Sequence, residues 1–180
     1  PLIIVVNHQS NLDPALLSPS IPRRIRFLAK SSIFSASLAN WFLRSYGAFP
    51  LNRDGVDLTA HRWSISHLKN NGALVLFPEG TRNRGGMRGA HDGVARLALT
   101  TKARLLPVGI TGTEHLQNVL RVFIPTGQIR ISIGQPFELP LPENRPGKAE
   151  LKAITGMIMR RIAAQLPPAY RGIYQLEEPE

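Results

Sequence analysis

Apolar residues fall into short blocks along the chain, each closed by glycine, proline, asparagine or charge. Leu2–Val6 is a β-branched run that predicts a buried parallel strand. Pro14–Leu17 starts a helix, and Ser31–Tyr46 carries Ile33, Phe34, Leu38, Trp41 and Phe42 at helical spacing. Gly47–Leu51 reads as a strand or strand edge. Asp57 is placed to cap a helix running to Asn70, with Asn71-Gly72 as its stop. Ala73–Phe77 is a second buried strand, closed by Pro78, and the glycine- and arginine-rich stretch Thr81–Gly89 is a loop. A helix from Asp92 to Thr101, a strand at Leu105–Thr111 and an alternating strand at Gln128–Ile133 follow. Pro136–Pro146 is a proline-rich loop, Lys148–Leu166 an amphipathic helix, and Pro167–Glu180 a tail with little regular structure.

Strands alternate with helices, without an internal repeat or a change of composition. The pattern predicts a single α/β domain over residues 1–166, with a largely parallel central sheet flanked by helices and a tail at 167–180. Ligand sites in such folds lie at the carboxyl ends of strands. Three loops are thereby singled out, those after Val6, Leu51 and Phe77.

Composition narrows the picture. A chain of 180 residues, 43% hydrophobic, can bury a sizeable core and is not disordered. The absence of cysteine excludes disulfides, thiolate metal sites and cysteine nucleophiles. A net charge of +10 attracts nucleic acid, anionic lipid or phosphorylated substrates. Aromatics are only 7%, with no aromatic–basic stripe for stacking bases, which argues against nucleic acid. No apolar run reaches the roughly 18 residues of a transmembrane helix. The chain opens at Pro1 and enters a buried strand at once, so upstream context is expected, with room there for an anchor or signal segment. Ile21–Phe27, with Lys30, mixes apolar and basic residues. It reads either as a solvated loop or as a contact for an anionic membrane, where each basic residue contributes roughly 1 kcal/mol.

The first loop carries His8 directly after the strand and Asp13 five residues on. A histidine can take a proton from a hydroxyl near neutral pH, and a neighbouring carboxylate fixes its tautomer and stabilises the imidazolium. Such a pair suits activation of an alcohol for attack on an ester or thioester. Asp13 precedes Pro14, however, and that order is also a helix start, with carboxylate cap and proline at the first position. The second loop places Arg53 at a strand end; the third places Glu79, Gly80, Thr81 and Arg82 at another. Arginine presents a planar fork that fits phosphate oxygens, and a glycine lets backbone approach a ligand. Two arginines converging from separate strands would clamp a phosphomonoester, although each alone reads as a solvated loop residue. His61, His67, His91 and His115 have no metal-ligand spacing and read as surface or core residues; Arg160-Arg161 reads as a solvated face. Trp41 and Phe42 read as core, with an acyl channel or lipid contact as the alternative.

These blocks resemble a family. Asn7-His8 through Asp13 matches the NHxxxxD motif of the glycerolipid acyltransferases, in particular the lysophosphatidate (1-acylglycerol-3-phosphate) acyltransferase group. Gly47–Arg53 resembles the family's second block, Phe77-Pro78-Glu79-Gly80-Thr81-Arg82 its third, and Leu105–Gly109 its fourth, in the family's order. The resemblance implies a glycerol-3-phosphate acyltransferase-like fold and transfer of a fatty acyl group to the free hydroxyl of 1-acylglycerol-3-phosphate, giving phosphatidic acid. It implies His8 as general base and Asp13 as its orienting carboxylate. Arg53, Glu79, Gly80, Thr81 and Arg82 would bind the acceptor phosphate, and Pro107 would shape the donor site. The donor would be acyl-CoA or acyl-carrier protein, with no metal, no cofactor and no covalent acyl-enzyme. The partners implied are lysophospholipid, acyl thioester, carrier protein and an anionic membrane surface, not nucleic acid, and the place is the cytoplasmic face of a membrane. Alternatives are another lysophospholipid or amino-lipid acceptor, or a non-catalytic basic membrane-binding module.

Overall fold

The structure, a computed structural model, describes residues 1–35, 37–52, 55, 57–116, 127–142 and 144–175, with the backbone alone at 38, 39 and 42. Six strands form one sheet: β1 (Leu2–Val6), β2 (Ile25–Lys30), β3 (Ala48–Leu51), β4 (Ala73–Leu76), β5 (Arg104–Thr111) and β6 (Arg130–Ile133). Their order is β3-β2-β4-β1-β5-β6, parallel throughout except for β6, which pairs antiparallel to β5. The helices are α1 (Asp13–Leu17), α2 (Ser37–Ser45), α3 (Leu58–Lys69), α4 (Gly93–Thr101) and α5 (Lys148–Ala163).

Successive residues of a strand face opposite sides of the sheet, and both sides are covered. Ile3 and Val5 of β1, with Leu74 and Leu105, pack against Leu68, Val94, Leu97, Leu151, Ile158 and Ile162 from α3, α4 and α5. Ile4 and Val6 face the other way, joining Val75, Val108 and Ile110 beneath Leu17 and Ile21. Burial on both faces explains why β1, β4 and β5 read as continuous apolar runs. Pro50 stands in β3, an edge strand, where a missing N–H is tolerated. Asp57 caps α3 as its sequence predicts: its Oδ1 accepts the Ala60 N–H at 2.9 Å. Asn71, at φ 57°, turns the chain out of the same helix in the left-handed conformation that asparagine tolerates.

Three sequence expectations change between residues 21 and 46. Ile21–Phe27 with Lys30 is a loop only as far as Arg24, because Ile25, Phe27 and Ala29 alternate into the core and make β2. Ser31–Tyr46 is not one helix. Ser31–Phe34 forms a 3₁₀ turn, and the Ser35 hydroxyl donates to the Ser32 carbonyl at 3.0 Å, a local bond that competes with α-helix before α2 begins. Trp41 is 68% exposed, so it is not core; the expectation for Phe42 lies outside the described side chains.

The C-terminal residues are better ordered than a tail of little regular structure. Pro168–Tyr170 form a 3₁₀ turn, and Tyr170 and Tyr174 pack against the core. Met87 N–H donates to Tyr170 O at 3.1 Å, and Ile173 N–H to Met87 O at 3.2 Å. The strap therefore lies against the loop that follows Phe77. Residues 176–180 lie outside the described residues.

Candidate active site

β1 lies between β4 and β5, and all three run the same way. The loops after Val6, Leu76 and Thr111 consequently emerge side by side at the carboxyl edge of the sheet. Asn7 locks two of them together: its amide donates to Ile110 O and its carbonyl accepts Ile110 N–H, both at 2.8 Å.

His8 Nδ1 is 2.8 Å from Asp13 Oδ2. A carboxylate only accepts, so Nδ1 carries the proton and Nε2 presents its lone pair. Among the described residues Nε2 has no hydrogen-bond partner, and the His8 side chain keeps 12% of its surface exposed beside a fully buried Asp13. The ring stacks on Phe77, centroids 4.1 Å apart.

Asp13 does not cap α1. The cap position is Leu12, without a side-chain bond, and Asp13 instead turns back over its own loop. Oδ2 accepts the N–H groups of Gln9 and Ser10 at 2.8 Å each as well as His8; Oδ1 accepts the Thr113 hydroxyl at 2.7 Å. Four donors converge on one buried carboxylate. Together these bonds keep the carboxylate pointed at His8.

Glu79 is buried too, 4% exposed, and ties the third block to the first. Its Oε1 accepts His8 N–H at 3.3 Å; its Oε2 accepts the Asn83 side-chain amide and the Arg88 N–H at 2.9 Å. Asn83 N–H in turn donates to His8 O at 2.7 Å. Burial pushes the Glu79 carboxyl above the usual range, partly opposed by the hydrogen bonds from Arg88, Asn83 and His8.

Gly80 closes the turn after Phe77 at φ 66°, and a Cβ there would meet the His91 ring at 2.8 Å, so only glycine fits. Thr81 and Arg82 are exposed on the same turn, directly before the Asn83–His8 bond.

The edge of the sheet thus gathers His8, Asp13, Glu79, Gly80, Thr81 and Arg82. It does not gather Pro107, which is buried within β5 opposite Val5, about 10 Å along the strand from His8 at ~3.3 Å per residue. Arg53 lies outside the described residues. Sequence reading missed Thr113 and Asn83, each one polar residue in a loop. The one available signal for Thr113 was its place just past the end of a buried strand that adjoins β1.

The acyltransferase family model matches residues 1–111. The chain belongs to the acyltransferase family. It is 29% identical over 139 residues to the 1-acyl-sn-glycerol-3-phosphate acyltransferase of Streptococcus pneumoniae, an alignment covering 76% of this chain and 50% of that one. It is 26% identical over 161 residues to the protein of the same name from Bacillus subtilis, covering 89% and 78%. The crystal structure of the 1-acyl-sn-glycerophosphate (LPA) acyltransferase PlsC from Thermotoga maritima matches with a TM-score of 0.63 at 28% identity, over 87% of this chain and 62% of that one. The chain therefore spans about half the length of the Streptococcus relative. No described helix is long and apolar enough to cross a membrane.

Proposed function

We propose that this acyltransferase moves a fatty acyl group from acyl-CoA or acyl-carrier protein to the free hydroxyl of 1-acylglycerol-3-phosphate, giving phosphatidic acid. The observation that carries the reading is the His8–Asp13 pair at 2.8 Å, with Nε2 open and Asp13 fully enclosed. The relatives' names supply the acceptor. His8 Nε2 takes the proton from the acceptor hydroxyl as that oxygen attacks the thioester carbonyl carbon. The tetrahedral intermediate then collapses, the carbon–sulfur bond breaks, and the imidazolium returns its proton to the leaving thiolate. No acyl-enzyme forms, because the attacking oxygen belongs to the acceptor, and no cofactor takes part.

The acceptor phosphate is gripped by Arg82 and Thr81, exposed on the turn next to His8, together with Arg53. Glu79 and Gly80 serve the same end indirectly. Both Glu79 oxygens already accept protein N–H groups, and a carboxylate in direct contact with phosphate would repel it. They hold the turn in shape so that Arg82 faces the acceptor. Pro107 contributes by shaping β5. The lysolipid acceptor resides in a bilayer, and a net charge of +10 favours an anionic leaflet, so the enzyme works at the cytoplasmic face of a membrane.

The test is a matrix of palmitoyl-CoA and palmitoyl-carrier protein against acceptors with and without a phosphomonoester, run on the full-length protein. His8→Ala is expected to lower kcat by about 10²–10⁴, the range of a lost general base. Near-normal turnover of that variant would sink the mechanism. Arg82→Ala is expected to raise the KM for lysophosphatidate selectively, leaving the donor KM unchanged. An equal loss on an acceptor without a phosphomonoester would refute the clamp.

A further inference from the structure

Asp13 is held by a group that no motif of the first four blocks contains. We propose that Thr113 is a positioning residue for acyl transfer: its hydroxyl fixes the Asp13 carboxylate so that the second oxygen faces His8 Nδ1. The proposal rests on the general-base reading of His8.

Thr113 and Asp13 are both fully buried, and Thr113 Oγ1 lies 2.7 Å from Asp13 Oδ1. The two carboxylate oxygens are unequally served. Oδ2 has three donors, from His8, Gln9 and Ser10, whereas Oδ1 has Thr113 alone among the described residues. A threonine hydroxyl has one proton to give. The Gln9 amide group 3.4 Å away faces the acceptors Ile110 O and Glu114 Oε2, so it presents its nitrogen there and offers no competing acceptor; the proton goes to Asp13 Oδ1. The terminal torsion of an aspartate is soft. Without the hydroxyl, Oδ1 would be left buried and unpaired, and the carboxylate would turn to find another donor, carrying Oδ2 away from His8.

Thr113 is delivered to this position by ties on both sides. Before it, Asn7 pairs with Ile110 of β5 through two bonds of 2.8 Å. After it, Leu116 N–H closes a turn on Thr113 O at 2.9 Å, and Ser10 of the catalytic loop donates its hydroxyl to Leu116 O at 2.5 Å. The loop after β5 and the loop after β1 thus hold each other, and the Thr113–Asp13 bond lies between the two ties. The β-branch of threonine adds to this by restricting the rotamer that aims the hydroxyl.

The experiment compares Thr113→Val, Thr113→Ser and Thr113→Ala in the full-length protein with palmitoyl-CoA and 1-oleoyl-lysophosphatidate. Loss of the hydroxyl in Thr113→Val is expected to lower kcat about ten- to a hundredfold, as for one hydrogen bond to a buried charge. The KM values should stay within about twofold, since Thr113 touches neither substrate. Thr113→Ser keeps the hydroxyl and is expected to recover kcat to within about threefold of wild type. Thermal melting accompanies each variant. If Thr113→Val fails to fold, the serine–alanine pair reads the same hydroxyl. A kcat for Thr113→Val near that of wild type, or a serine variant as impaired as the valine or alanine one, overturns the proposal. The two readings fail separately. Turnover retained by His8→Ala removes the general base itself, whereas an inactive His8→Ala beside a fully active Thr113→Val removes only Thr113.

Discussion

Asp13 stands before Pro14, where a carboxylate ordinarily caps a helix, yet its oxygens turn back to His8, Gln9, Ser10 and Thr113. Capping and catalysis compete for the same two oxygens here, and the loop donors outnumber what the first turn of α1 offers. At Glu79 burial raises the carboxyl more than its donors lower it. The folded protein therefore holds that proton more tightly than the unfolded chain. The Glu79 contribution to stability is largest in acid and declines as pH rises from about 4.5 through the raised folded value. Urea midpoints of wild type and Glu79→Gln, taken across that range, should draw apart in acid, wild type being favoured there, relative to neutral pH. A difference that stays flat with pH would show that burial does not govern this carboxyl. Such balances were not legible in the sequence. His8 and Asp13 could be named from their spacing, but Glu79, which accepts the His8 N–H, and Thr113, which donates to Asp13, lie 71 and 100 residues away.

Elements were read well where the apolar pattern was pure and poorly where charge interrupted it. β1, β4 and β5, buried on both faces, were found as continuous runs, and α3 was bounded by its Asp57 cap. β2 was missed because Arg24, Arg26 and Lys30 drew the eye from the alternation of Ile25, Phe27 and Ala29. The strap at residues 167–175 was missed for another reason. Its order comes from contact with the Gly86–Met87 segment and not from any period of its own. Gly172 makes that contact possible: at φ 55°, a Cβ would stand 2.0 Å from Met87 O. Gly172→Ala is expected to lift the strap from the loop, destabilising the protein by roughly 1–3 kcal/mol as overpacking does. Thermal melting measures the loss, and limited proteolysis near residue 170 should become faster. A variant as resistant as wild type would show that the strap is not held there.

The whole molecule is a sheet with a separate apolar core on each face, and the site on the one edge where the loops of β1, β4 and β5 meet. Stability and chemistry are accordingly separable. Ile158→Ala, on the buried face of α5, is expected to lower unfolding free energy by roughly 2–5 kcal/mol, whereas exposed Trp41→Ala should stay within about 0.5 kcal/mol. Urea titration distinguishes these; equal losses would mean that Trp41 packs more closely than its exposure indicates. The sequence by itself determined the α/β class, the parallel strands and the residues of the first and third blocks. Those features rest on local periodicity and on residue types whose chemistry travels with them. The strand order, the return of Asp13 onto its own loop, and the arrival of Thr113 beside it were decided only by tertiary structure. Each depends on a contact between distant segments, whose partners become known when both faces of the sheet are buried and the strands have been set side by side.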